Sequence, residues 1–169
     1  ADQSVSLKQG LKTAIGANGT VTYAKGSNLV ADSLLETKLN GMMGFVIPGM
    51  QVKNVHDRKP EVLLKEALDL AQTSDVVIAA LGENANMNGE GASRSIPDIP
   101  EPQMDLLKAL VATGKPVILV IFTGRPLILS WEDENVPAIL NAWFPGSEAG
   151  TSIAGILFGD VNPSGKLTT

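Results

Sequence analysis

The chain has 169 residues, of which 44% are hydrophobic, with a formal net charge of −5 and no cysteine. That length and apolar content describe one globular domain able to bury a core, and exclude a disordered chain. Scattered basic residues offer no cationic face for nucleic acid or anionic lipid, no apolar run approaches the roughly 18 residues of a membrane span, and missing thiols exclude disulfide and thiolate chemistry.

From Ala1 to Gly16 the spacing of Val5, Leu7, Leu11, Ala14 and Ile15 predicts a helix, with Ser4 or Ser6 as its cap and Gly16 as its stop. A turn at Asn18-Gly19 leads to a short predicted strand, Thr20 to Ala24, where Val21 and Tyr23 alternate with polar neighbours. A parallel α/β unit normally opens on a strand, so the chain is expected to be a piece of a longer protein, or its first strand to lie upstream of Ala1. Lys25 to Lys59 shows no sustained period and reads as an insertion or excursion, with an apolar tip at Met42 to Ile47 that packs on a neighbouring domain or, on the plainer reading, forms a small strand or turn packed on its own. The only histidine, His56, lies there; with no second histidine and no cysteine it reads as a solvated loop residue, and no metal site is expected.

Regularity returns at Pro60. Leu63, Leu64, Ala67, Leu68, Leu70 and Ala71 form the face of a helix. Asp75 to Leu81 is a run of small and β-branched residues, the pattern of a strand buried on both sides. It breaks at Gly82 into a polar loop reaching Ile99. A helix follows from the Pro100-Glu101-Pro102 turn to Gly114, burying Leu106, Leu107, Leu110 and Val111. Pro116 to Phe122 is a second strand, ending in Thr123-Gly124-Arg125-Pro126. After a short connection, Ala138 to Trp143 is a third. Ser147 is predicted to cap a final helix, with Glu148 in its positively polarised first turn and Gly159 at its end. Right-handed crossovers then give a three-layer α/β/α sandwich around a mainly parallel sheet, lacking its first strand. In such a sheet ligands bind outside the carboxyl ends of the strands. There the rim of Glu90, Arg94, Arg125 and Trp143 would face one ligand or one partner domain.

Three segments carry a resemblance: GENANMNGEGASRSIPDIPEPQMDLLKAL from Gly82, GKPVILVIFTGRPL from Gly114, and AILNAWFPGSEAGTSIAGILFGDVNPSGKL from Ala138. In this order and spacing they resemble the carboxyl-proximal α/β sandwich domain of glycoside hydrolase family 3, which includes β-glucosidases and β-xylosidases. The resemblance covers Lys59 to Thr169, and Ala1 to Gly26 more faintly. It implies a retaining mechanism in which an ionised Asp attacks the anomeric carbon and a protonated carboxyl donates to the leaving oxygen, the pair about 5 to 5.5 Å apart. In that family the nucleophile belongs to an amino-terminal (β/α)8 barrel, absent from this chain, and the acid/base commonly to a loop of the sandwich domain. The acidic-glycine loop of the family matches GEGASR, which maps the acid/base to Glu90. This chain has Ala92-Ser93 where many members carry an aromatic and an Asp. The resemblance implies β-linked glucosides, xylosides or oligosaccharides as substrates, the barrel as partner, no cofactor, and a periplasmic or secreted bacterial enzyme.

On its own chemistry, Glu90 lies between glycines that let the loop bend toward a ligand, and docking against another domain would exclude water and raise its pKa toward the value a general acid needs. The plain alternative is a solvated glutamate. Glu83 is the second candidate acid, although a carboxylate directly after a strand is better placed to hold the loop. Arg94, Asn88 and Ser93 are candidate substrate or interdomain contacts. Arg94 has Glu90, Glu83 or a carboxylate of the barrel as partner, with a plain surface ion pair as the alternative; Arg125 poses the same choice. Trp143 stacks a sugar or fills a core or interdomain position. Two other classes stand beside the enzyme reading. One is a non-catalytic scaffold. The other is a small-ligand or phosphate-binding α/β domain, against which GENANMNGEG lacks the GxGxxG and GK[ST] patterns and its two glutamates would repel phosphate.

Overall fold

The protein is described by a computed structural model covering residues 4–40, 56 and 58–167. The expected apolar tip Met42 to Ile47 lies outside the described residues. The chain forms two compact units, one from its two ends (Ala1–Tyr23 with Phe144–Thr169) and one from its middle (Ala24–Trp143).

The middle unit holds a parallel sheet of three strands, β1 (Val77–Gly82), β2 (Val117–Phe122) and β3 (Ala138–Asn141), in the order β1-β2-β3. Val77 pairs with Val117 through to Gly82 with Phe122, and Ile118 with Ala138 through to Ile121 with Asn141. Each strand is a short apolar run, as parallel strands joined by crossover helices are, and burial is deepest on the central β2, while Ala80 of β1 and Ala138 of β3 are exposed. Side chains alternate, so Ala79, Leu81, Val117, Leu119 and Ile121 point to one face. That face packs with Ala71 of α3 (Pro60–Gln72), with Leu106, Leu107 and Leu110 of α4 (Glu101–Val111), and with Ile99 and Val136. Leu107 and Leu119 are completely buried, each contributing about 1.5–3 kcal/mol of hydrophobic transfer. The strands, the two long helices and the parallel sheet agree with the expected α/β sandwich.

Several local expectations are corrected. No strand occupies 20–24; one alternating apolar pair has no ladder partner there, and strand propensity is expressed only in pairing. Tyr23 is instead exposed, with the Lys8 ammonium 4.8 Å from its ring centre. The residues after Gly16 form a 3-10 turn, Gly16–Asn18. Inside the unreadable stretch lies α2 (Ser33–Leu39), whose cap is Asp32: its Oδ1 accepts from the N–H of Leu34 at 2.8 Å and of Leu35 at 3.1 Å. His56 is not a solvated loop residue. Its Nε2 lies 3.0 Å from Oε2 of Glu36, a buried α2 carboxylate that also accepts the Val30 N–H at 3.1 Å. The short connection between β2 and β3 contains a further helix, α5 (Ser130–Asn135).

In the terminal unit α1 (Leu7–Ile15) packs on α6 (Ala149–Leu157). Ser6 is the cap of α1, accepting the Gln9 N–H at 3.3 Å. The helices meet at Gly10 and Gly150, where a Cβ on Gly10 would come within 2.0 Å of the Gly150 carbonyl oxygen. Two backbone bonds tie the same contact, Val5 N–H to Ser147 O at 2.7 Å and Gly150 N–H to Val5 O at 2.9 Å. Ala14 is exposed, since this close glycine contact, rather than the full apolar period, selects the buried side. Ser147 does not cap α6. Its carbonyl serves Val5, and the cap position belongs to Glu148, whose carboxylate accepts the Thr151 hydroxyl at 3.0 Å.

Candidate functional site

Beyond β1 the chain leaves the sheet in two steps. Glu83 still donates its N–H to Phe122 O at 2.8 Å, and Gln103 of α4 takes both backbone groups of Gly82, accepting at 2.7 Å and donating at 2.8 Å. Asn84 then caps a 3-10 turn, Ala85–Met87, by accepting the Met87 N–H at 3.1 Å, while its amide donates to Leu39 O at 3.0 Å. Met87 is buried. From there the loop rises into a four-residue turn closed by Ala92 N–H to Gly89 O at 3.3 Å. Gly91 has φ +74°, the value a type II turn requires at its third residue. Glu90 is the turn's second residue and is exposed. Among the described residues, nothing hydrogen-bonds or ion-pairs with its carboxylate.

Glu83 occupies the opposite environment. Its side chain has no exposed surface. Oε1 accepts from Arg94 Nη1 at 2.9 Å; Oε2 accepts from the Thr123 hydroxyl at 2.9 Å and lies 3.3 Å from Arg125 Nε. One buried carboxylate therefore faces two guanidinium groups, which is the pairing that burial of a charge demands. Arg94 divides its fork between Glu83 and Asp98, reaching the Asp98 carboxylate at 2.9 Å and its carbonyl at 2.7 Å. Of the partners open to Arg94 in the sequence, Glu83 is the one it meets within this chain.

Asn88 lies at the foot of the turn. Its Oδ1 accepts from the Gly124 N–H and from Arg125 Nε, each at 3.2 Å, joining the loop after β1 to the break after β2. Ser93 is exposed. Trp143, two residues past β3, is 40% exposed and has φ +53°, a left-handed conformation that is strained for an aromatic residue. Sequence reasoning missed Thr123, Asp98 and Gln103. Asp98 was within reach of it, standing four residues from Arg94; the other two join the network through sheet geometry alone. A cleft of about 310 Å³ opens beside the end of β1, lined by Lys25, Asn28, Glu36, Glu83, Asn84 and Gln103 among others; Glu90 is not on its wall. Among the described residues no group of three or more acidic or histidine side chains is arranged to hold a metal, and no helix is long and apolar enough to cross a membrane.

The chain is similar to known proteins along its whole length. It is 42% identical over 167 residues to a periplasmic β-glucosidase of Salmonella typhimurium, covering 99% of this chain and 21% of that protein. It is 37% identical to a β-xylosidase of Formosa agariphila, covering 97% of this chain and 19% of the relative. A solved β-glucosidase from Erythrobacter marinus superposes with a TM-score of 0.71 at 33% identity, over 97% of this chain and 22% of that one. The Listeria innocua β-glucosidase crystallised with gluconolactone gives 0.57 at 44% identity, over 59% of this chain and 14% of its own. This chain thus spans about a fifth of the length of the curated relatives it matches. The profile of the glycosyl hydrolase family 3 C-terminal domain matches residues 1–169, and the chain belongs to that family.

Proposed function

We propose that this chain is the carboxyl-proximal domain of a retaining, exo-acting β-glycosidase and that Glu90 is its general acid/base. The observation that carries the reading is the contrast between two glutamates seven residues apart on one loop. Glu83 is sealed, with both oxygens engaged, whereas Glu90 stands exposed at the tip of a turn with its carboxylate unengaged. A proton donor must be reachable by the glycosidic oxygen, and only the second carboxyl meets that requirement. Family membership and the names of the relatives support β-linked glucosides, xylosides or short oligosaccharides as the substrate class.

The chemistry follows from two carboxyl groups. In the first half-reaction an Asp carboxylate, supplied by an amino-terminal barrel outside this chain, attacks the anomeric carbon. The bond to the leaving oxygen breaks, and Glu90 gives that oxygen its proton, releasing the alcohol. In the second half-reaction the Glu90 carboxylate takes a proton from water, the hydroxide attacks the same carbon, and the Asp leaves as a carboxylate. Contact with the barrel would exclude water from around Glu90 and close the site about the reacting atoms. The periplasmic β-glucosidase among the relatives supports a periplasmic or secreted location.

The test is made in the full-length protein that carries this segment. Glu90→Ala lowers turnover of p-nitrophenyl β-glucoside or β-xyloside by about 10²–10⁴-fold. Azide restores part of the loss and is recovered as the β-glycosyl azide, because a small anion enters the vacated space and attacks the glycosyl intermediate without needing a base. Near-normal turnover of Glu90→Ala would make this domain a scaffold and send the search for the proton donor to another domain.

A further inference from the structure

The tip of the turn that carries Glu90 is exposed from Gly89 to Gly91, yet both of its feet are held by one residue. Arg125 lies three residues beyond the end of β2, with its side chain 21% exposed. Its Nη2 donates to the carbonyl of Met87, before the turn, and to that of Ala92, after it, at 2.7 Å in the second case. Its Nε donates to Asn88 Oδ1 at 3.2 Å and lies 3.3 Å from Glu83 Oε2. The Arg125 N–H in turn donates to the Thr123 hydroxyl oxygen at 3.2 Å, and that hydroxyl donates to Glu83 at 2.9 Å. A single guanidinium therefore closes the base of the segment Asn88 to Gly91, with Glu90 near its top.

We propose that Arg125 is a positioning residue for Glu90: it clasps the two feet of the turn and so fixes where the Glu90 carboxyl can reach, while the buried Glu83 holds the clasp in its orientation. Glycines beside Glu90 leave the tip backbone with wide conformational freedom, and closing the loop at its feet removes much of it. An acid catalyst displaced by about 1 Å loses on the order of 10²-fold in rate. The planar fork of arginine can serve two carbonyls and an amide oxygen while facing a carboxylate; a lysine ammonium keeps the charge opposite Glu83 but lacks the fork. Charge and clasp are thus separable by one substitution.

The inference rests on the assignment of Glu90 as acid/base, and the experiment keeps the two apart. In the full-length enzyme, kcat/KM is measured for a series of aryl β-glycosides running from dinitrophenyl, which leaves without protonation, to phenyl, which needs it. Arg125→Lys is expected to lose about 10–10²-fold on the phenyl substrate and far less on the dinitrophenyl one. In a Glu90→Ala background the same substitution should add almost nothing, since two residues acting through one proton transfer do not add. Asn88→Ala, which removes one neutral partner of the clasp and keeps both Arg125 and Glu83, should show the same leaving-group dependence in weaker form and serves where Arg125→Lys fails to fold. A uniform loss along the series, or a full additional loss on top of Glu90→Ala, would overturn the clasp while leaving Glu90 in place. A Glu90→Ala enzyme with no leaving-group dependence of its own would instead overturn the acid/base assignment, and the clasp with it.

Discussion

Two glutamates on one loop have been given opposite environments, and the difference rests on which charges reach each of them. Glu83 has two guanidinium groups and a hydroxyl around a fully buried carboxylate. Such a group is tolerable only while it is paired, and removing one side leaves the other uncompensated, at a cost of about 3–5 kcal/mol for a fully buried pair. Arg94 and Arg125 are each about one-fifth exposed, so water relieves part of that penalty and Glu83→Ala should fall at the low end of the range. The urea midpoint of the full-length protein reports it, with Lys65→Ala, in an exposed ion pair with Asp69, as a control that moves little. Azide should not rescue Glu83→Ala, because its defect lies in the loop's anchorage. In the sequence Glu83 was legible as a carboxylate following a strand and suited to holding the loop. Its pairing with Thr123, forty residues on, was not, because that contact exists only once β1 and β2 lie side by side in register.

The elements that could be read from the chain are those that show a period, a continuous apolar run or clear stop signals: α1, α3, α4, α6 and the three strands. The two helices that went unread, α2 and α5, have seven and six residues, fewer than two full turns, where no helical period can establish itself. Asp32 was nonetheless a readable cap, with Glu36 four residues behind it. In α5 the Glu132 carboxyl is buried and burial raises it above its ordinary value of 4.5; its own backbone N–H and Lys108 act in the other direction, and Asp98 adds to the rise. The folded state then holds this proton at pH values where the unfolded chain has released it. Stability therefore falls as pH rises through and above 4.5, and levels off once the group is ionised in both states. Glu132→Gln removes the titration. Its unfolding free energy should gain on the wild type between acidic pH and neutrality, as denaturant titrations at the two pH values would show; an equal difference at both would mean that Glu132 does not contribute to the pH dependence.

As a whole the chain matches its curated relatives over about a fifth of their length. An acid/base without a nucleophile and a sugar-binding pocket leaves most transition-state stabilisation absent. The purified 169-residue chain should therefore release no p-nitrophenol above background from aryl β-glucosides or β-xylosides. Release proportional to its concentration would require a complete site within these residues. Apolar runs, helix faces and three motifs in order were enough to specify a parallel α/β architecture and its family, because the burial of a strand or a helix face follows from a local pattern that the element carries alone. Which glutamate is sealed, what Arg125 grips and how Gly10 meets Gly150 depend on residues 11 to 140 positions apart in the chain. Those contacts are set by strand register and by the close approach of helices, which no local spacing encodes, and only the folded chain decides them.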